Sequence, residues 1–358
     1  MRHILDITDL GVEEVASLVS VAEDIAAHRE KYAHILAGKK LATLFYEPST
    51  RTRMSFEAAM IELGGSVISC ADMSRSSAAK GETLKDTVRV VGNYADVIAM
   101  RHPCEGAAYA AALKSPVPVI NAGDGGHCHP TQTLADLLTI HREVGRFDGI
   151  TIGLCGDLKY GRTVHSLINA MLRYEGVKFV LISPEELRLP DYMLETLKNA
   201  GARYEEIPAL EAALPVLDVL YMTRVQKERF DDESEYGRVK DCYVLTAEKM
   251  KLAKKSAVVL HPLPRVNEIA EDVDDDPRAA YFRQTMNGKL MRMALILKVV
   301  SEKGGEVGRE ETVAGGRCIN KKCISHAEPL APLYKKREEN GKHKCIYCET
   351  LQTIDRLR

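Results

Sequence analysis

A chain of 358 residues, 45% hydrophobic and 28% charged, can bury ordinary cores and is long enough for two or three domains. Its formal net charge of −2 gives no global pull toward nucleic acid or anionic membrane, so neither is expected as a partner and any cationic site must be local. No run approaches the ~18 uninterrupted apolar residues of a membrane span, and the N-terminal MRHILDITDLGVEEV lacks a signal peptide's apolar core, which together suggest a cytoplasmic protein.

In chain order, Leu10, Val12, Val15, Leu18, Val19 and Ala22 recur at helical spacing behind Asp9, a residue suited to capping. A strand is expected over 41–46, then the polar turn EPSTRTR and a helix ending at Gly64 and Gly65. SVISCA, DVIAMRH and SPVPVINAG read as further strands, with KDTVRVVGNY a helix between the first two. A helix over 130–145 follows, and the alternation restarts with the strands GITIGLCGD, KFVLISP, VLDVLYMTR and SAVVLHPLPR and the helices GRTVHSLINAMLRY and MLETLKNAG. The expected fold class is therefore α/β, with two parallel-sheet α/β domains and a small C-terminal zinc-binding β domain. Domain boundaries are placed at 1–130 and 131–283, with the apolar-striped helix over 284–303 packing back on the first domain, a Gly- and Glu-rich linker at 304–315, and a cysteine-bearing domain at 316–358.

Ligands of such sheets bind beyond the carboxyl ends of the strands, and the unusual polar clusters fall there. EPSTRTR puts Ser49, Thr50, Arg51 and Thr52 where a helix N-terminus begins, which suits an anion; the plainer reading is a capped helix with solvated arginines. Ser76 and Lys80 lie in a loop of small residues, Arg101 ends a strand in MRHP, and His129 opens the helix at HPTQ. A histidine there would be held neutral by the helix dipole and could donate to a carbonyl oxygen, or could simply pack. In the second half Arg162, Arg224 and Gln226 follow strands and suit carboxylates, and the prolines of HPLPR leave carbonyls free to face a ligand. The expected ligands are a phosphorylated carbonyl compound and a dicarboxylate.

The tail RCINKKCISHAEPLAPLYKKREENGKHKCIYCE carries Cys318, Cys323, Cys345 and Cys348 in Cys-x4-Cys and Cys-x2-Cys pairs. This is metal-knuckle spacing, and four thiolates suit one structural Zn²⁺ per chain. Disulfides conflict with a reducing compartment, and a nucleic-acid ribbon would want aromatic stacking platforms that the lysine-rich tail lacks.

Taken in order, PSTRTR, the Ser76–Lys80 loop, MRHP, HPTQ, GDLKYGRTVHS, YMTRVQKER and HPLPR resemble the catalytic chains of the aspartate carbamoyltransferase family over about 1–305. The resemblance implies a carbamoyltransferase-like fold, transfer from carbamoyl phosphate to L-aspartate in pyrimidine biosynthesis, and no organic cofactor. It implies that Ser49, Thr50, Arg51, Thr52, Ser76 and Lys80 hold the phosphate, and that Thr52, Arg101 and His129 hold the carbonyl oxygen. Gln132 and the carbonyls of Pro262 and Leu263 would take the carbamoyl amine. Arg162, Arg224 and Gln226, with Lys80 and Leu263, would hold aspartate. Ser76 and Lys80 would enter a neighbour's site, implying a homotrimer or larger homo-oligomer with shared sites. Ornithine carbamoyltransferases share STRTR and HPTQ but need a partner for an amine, where Arg224 and Gln226 suit a carboxylate; a non-catalytic scaffold homologue would be expected to have lost the reacting residues. CINKKCISHAEP and HKCIYCE resemble the zinc domain of the aspartate carbamoyltransferase regulatory chain, here joined behind the catalytic part without the nucleotide-binding domain that precedes it in that family. Docking of this domain on a catalytic domain, in its own chain or a neighbour's, and insensitivity to CTP and ATP are the expectations.

Overall fold

The computed structural model describes residues 2–71, 77–225, 233–239, 242–302, 307–308, 311–339 and 341–354. The chain forms two compact units, Met1–Thr131 with Lys289–Arg358, and Gln132–Gly288.

The first unit opens with α1 (Val12–Ala27), whose buried Val15, Leu18, Val19, Ala22 and Ile25 form an apolar stripe; Val12, expected on it, is exposed in the first turn, and Gly11 rather than Asp9 is the N-cap. Then come β1 (Lys40–Phe45), α2 (Thr50–Glu62), β2 (Ser66–Cys70), α3 (Leu84–Val91), β3 (Val97–His102), α4 (Ala107–Ala112) and β4 (Val119–Asp124). The strands pair in parallel in the order β2-β1-β3-β4. β1, β3 and β4 are buried almost without a break, as in a parallel sheet covered on both faces, whereas β2 alternates between exposed and half-buried at the edge. The chain order reverses between β1 and β3, so a topological switch point lies at the carboxyl ends of these two strands.

The second unit contains α5 (Pro130–Val144) from Gln132 onward, β5 (Thr151–Cys155), α6 (Arg162–Met171), β6 (Lys178–Ile182), α7 (Asp191–Asn199), β7 (Arg203–Glu206), β8 (Val219–Met222) and β9 (Val258–Leu260). Its parallel sheet runs β7-β6-β5-β8-β9, placing its switch point between β5 and β8. The polar edge strand β7 and the alanine-rich α4 had no counterpart in the sequence reading.

The long helix α8 (Tyr281–Ser301) serves both units in turn. Gln284 and Asn287 donate to Asp136 and Thr139 inside the second unit, at 2.6 and 3.0 Å. Beyond Lys289 the helix belongs to the first unit, where Arg292 donates to Ser55 at 3.1 Å and Lys298 lies 2.9 Å from Glu14.

The C-terminal segment adds β10 (Thr312–Ala314), β11 (Leu333–Glu339), β12 (Lys342–Cys345) and β13 (Leu351–Gln352), an antiparallel meander within the first unit. β10 arises from the end of the stretch expected as a linker. The meander shares a continuous core with the α/β sheet: Ile324, Tyr334, Ile346 and Tyr347 bury themselves with Ala107, Ala108 and Ala111. The domain therefore docks on its own chain. Backbone bonds stitch the contact, from Glu105 N–H to Lys322 O and from Ile324 N–H to Glu105 O, both 2.9 Å.

Candidate active site and metal centre

At the first switch point, Ser49 caps α2, a helix of thirteen residues, so the N–H groups of Thr50, Arg51 and Thr52 belong to its unsatisfied first turn. The Ser49 hydroxyl makes no capping bond. Thr52 is buried while Arg51 and Thr50 are exposed. Arg53, which the sequence also offers as a cation, faces elsewhere: it donates to Glu57 at 3.3 Å and to Ser69 at 2.9 Å. Arg101 stands in register with Phe45, so the ends of β3 and β1 bring it beside EPSTRTR. There its guanidinium lies 2.9 Å from Glu47. Glu47 was not singled out from sequence; its place in EPSTRTR was the available signal. His129 is buried, with Thr131 Oγ1 3.5 Å from its Nδ1. Lys80 ends an exposed 3-10 turn over Ser77–Lys80, and Ser76 lies outside the described residues.

In the second unit, Arg162 is the first residue of α6, following β5, and Arg224 follows β8, the neighbouring strand. The two loops are tied together: Asp157 N–H donates to Thr223 Oγ1 at 2.9 Å, and the Asp157 carboxylate accepts from Tyr160 N–H at 2.9 Å, setting the turn before Arg162. Gln226 lies outside the described residues. The HPLPR loop follows β9. His261 Nδ1 accepts from Leu263 N–H at 2.7 Å, so its Nε2–H donates to buried Glu268 at 2.8 Å. Burial is the largest single influence and would raise the Glu268 carboxyl, but the bond from His261, its charge and backbone N–H bonds together hold the group below its usual range. Leu263 itself sits at φ 53, in the left-handed region that a branched side chain rarely enters.

A polar hub that sequence reasoning missed lies beneath these residues. Fully buried Asp136 accepts from Gln132 at 2.8 Å, from Gln284 at 2.6 Å and from Tyr221 at 3.1 Å. Gln284 in turn accepts from His261 N–H at 3.0 Å. One carboxylate thus orients both Gln132 and the loop of Pro262 and Leu263. Its only sequence signal was an acidic residue on the apolar face of α5.

In the C-terminal domain the sulfurs of Cys318, Cys323, Cys345 and Cys348 all lie within 4.8 Å of one another and all four residues are buried. The Cys318–Cys348 and Cys323–Cys345 separations are 3.6 and 3.9 Å. Four ligands at the usual Zn–S length of about 2.3 Å would stand about 3.8 Å apart, so the donor set fits a tetrahedral ion. None of the cysteines forms a disulfide.

A helix N-terminus at the switch point of one parallel sheet, and arginines in the loops after neighbouring strands of a second, are the arrangement of a two-domain α/β transferase. The chain belongs to the aspartate/ornithine carbamoyltransferase family: the carbamoyl-P binding domain matches residues 2–142 and the Asp/Orn binding domain residues 148–299. Residues 313–358 match the metal binding domain of the aspartate carbamoyltransferase regulatory chain. Among similar proteins is the aspartate carbamoyltransferase catalytic subunit of Lachnoclostridium phytofermentans, 59% identical over 84% of this chain and 98% of that one. That of Clostridium novyi is 58% identical, again over 84% and 98%. The aspartate transcarbamoylase catalytic subunit of M. jannaschii superposes with a TM-score of 0.79 at 50% identity, over 86% of this chain and 100% of that one. The Trypanosoma cruzi aspartate transcarbamoylase, solved with carbamoyl phosphate and aspartate, gives 0.79 at 41% identity, over 83% and 96%.

Proposed function

We propose that this chain transfers the carbamoyl group of carbamoyl phosphate to the α-amino group of L-aspartate, giving N-carbamoyl-L-aspartate and phosphate. The observation that carries the reading is the placement of Arg162 and Arg224 in the loops that follow the adjacent strands β5 and β8. Two guanidiniums suit a substrate with two carboxylates; ornithine, whose side-chain amine would be the nucleophile, offers one carboxylate and an α-ammonium, and would leave one guanidinium opposed to a cation. An ornithine carbamoyltransferase is the alternative of the same class.

In this reading Ser49, Thr50, Arg51 and Thr52 hold the phosphate through hydroxyls, a guanidinium and helix N–H groups, with Ser76 and Lys80 completing the charge. Gln132 and the carbonyls of Pro262 and Leu263 orient the carbamoyl amine, and Asp136 keeps Gln132 turned as required. Arg162, Arg224 and Gln226, with Lys80 and Leu263, hold L-aspartate. The aspartate amine attacks the carbonyl carbon, and negative charge grows on the carbonyl oxygen. Thr52, Arg101 and His129 donate to that oxygen, the interaction that strengthens in the transition state. The C–O bond to phosphate then breaks, and the departing phosphate accepts the amine proton while Arg51 and Lys80 stabilise its charge. No side chain needs to act as a strong base, so most of the rate comes from alignment.

The metal held by the four cysteines is Zn²⁺ in this proposal, supplying cross-linking of the C-terminal fold and no chemistry at the substrates. The working assembly is a trimer or larger, with Ser76 and Lys80 serving a neighbour's site, and the compartment is the cytoplasm. The test is formation of carbamoyl aspartate by the purified chain, with ornithine as competitor. Turnover of ornithine in preference to aspartate would replace the assignment by its alternative.

A further inference from the structure

The turn over 124–128 stands immediately before His129, and both of its sides are held by the metal-binding domain. On one side, the Glu105 carboxylate accepts from Gly126 N–H at 3.3 Å and from the Asn320 amide at 2.7 Å, while its backbone bonds to Lys322 and Ile324 around the ligand Cys323. On the other, His127 Nδ1 lies 3.1 Å from the buried Asp124 carboxylate, and its Nε2 lies 3.9 Å from the carboxylate of Glu349, the residue after Cys348. Glu349 holds φ 59, a conformation a glycine would adopt more cheaply, and its N–H donates to Cys345 O at 3.1 Å. The knuckle therefore keeps a costly glutamate whose half-exposed carboxylate lies between Lys335, at 3.4 Å, and His127.

Asp124, His127 and Cys128 also bring three ligand-type atoms within 4.8 Å of one another. Their contacts argue for a turn clamp over a second metal site. Asp124 already accepts from Gly106 N–H at 2.7 Å and from the Asn121 amide at 2.9 Å, and Asn121 also reaches Cys128 Sγ at 3.2 Å. A metal would have to displace Asn121.

We infer that Glu349, acting through His127, is a positioning residue for the turn that carries His129, so that the metal-binding domain sets the geometry of the carbonyl-oxygen donors. The inference rests on the proposed carbamoyl transfer but concerns a contact outside its substrate residues. The link is short: Asp124 N–H bonds Cys128 O at 3.3 Å to close the turn, and His129 is the next residue.

The experiment is a double-mutant cycle of His127→Gln and Glu349→Gln in the full chain, with kcat and both KM values, bound metal and Tm measured for each protein. The expected result is a fall in kcat of about three- to tenfold in either single mutant, no further fall in the double mutant, and an unchanged KM for aspartate. Metal content and Tm of Glu349→Gln should match the parent. Unchanged kcat in Glu349→Gln, additive effects in the cycle, or a fall in kcat that tracks metal loss would each overturn the inference. A parent chain that makes no carbamoyl aspartate would instead defeat the functional reading, so the two failures are distinguishable.

Discussion

Among single residues, Arg51 carries the clearest expectation. It is an exposed residue in the first turn of α2, outside the packed core, so Arg51→Ala should leave the fold intact. Its kcat/KM should fall about 10²–10³-fold, the cost of removing a charge preorganised for the departing phosphate; near-normal turnover would sink the phosphate-site assignment. His165 makes a stability prediction. Its Nε2–H donates to Leu158 O at 2.8 Å and its Nδ1 meets Tyr192 OH at 3.1 Å, an arrangement of the neutral ring. Burial lowers its pKa from 6.5 to about 4. The unfolded chain therefore takes up a proton first on acidification, and stability should decline from about pH 6.5 to about pH 4, by up to about 3 kcal/mol from this group. Buried His3 and His102 push in the same direction, so the comparison must be with His165→Gln, whose unfolding midpoint should fall less steeply over that window. Equal slopes would show that His165 is not the proton acceptor. At this scale much of the candidate site could be read from sequence, because Arg101 lies at the end of a recognisable strand and Arg162 and Arg224 each follow one. Asp136 and Glu47 could not, since their roles depend on partners such as Gln284 that are distant in sequence.

Among elements, the strand–helix alternation predicted the two parallel sheets, and the near-continuous burial of β1, β3 and β4 agrees with a sheet covered on both faces. β7 escaped because its residues RYEE are mostly exposed at an edge, and α4 because AAYAAA carries no amphipathic contrast. What α4 packs against explains its composition: small side chains let the metal-binding domain approach. Gly106, the N-cap of α4 at φ 81, is a point of close approach, and a Cβ there would come within 2.4 Å of the Tyr347 backbone. Gly106→Ala should therefore destabilise the docked domain by about 1–3 kcal/mol, seen as a lower Tm and faster loss of metal to a chelator. A Tm unchanged within a degree would show that the contact in the structure is not made in solution. Stripping the metal should likewise unfold β10–β13, whose core is built around the four cysteines, with a loss of β signal in circular dichroism.

For the whole molecule, the expected sharing of sites makes a prediction that no monomeric enzyme would satisfy. Arg51→Ala and Lys80→Ala chains, each inactive alone, should regain activity when mixed and reassembled, because some hybrid sites would draw both residues from intact chains. Hybrids that form trimers yet stay inactive would place Lys80 in its own chain's site. The exposed Met54 and Ile61 of α2 and Ile68 of edge strand β2 are apolar surface available to such an assembly. Sequence left open whether the C-terminal domain docks in its own chain; the bonds of Glu105 to Lys322 and Ile324 answer that, and no local pattern could have, because they join residues more than two hundred positions apart. The central claim remains the reaction. The most direct measurement is the initial rate of carbamoyl-group transfer by the purified, metal-replete chain, with L-aspartate and L-ornithine offered separately at equal concentration. The account predicts N-carbamoyl-L-aspartate with stoichiometric phosphate release and at least a hundredfold lower rate with ornithine, as expected of about 3 kcal/mol of discrimination. Citrulline as the main product, or no product with either amine, would contradict it.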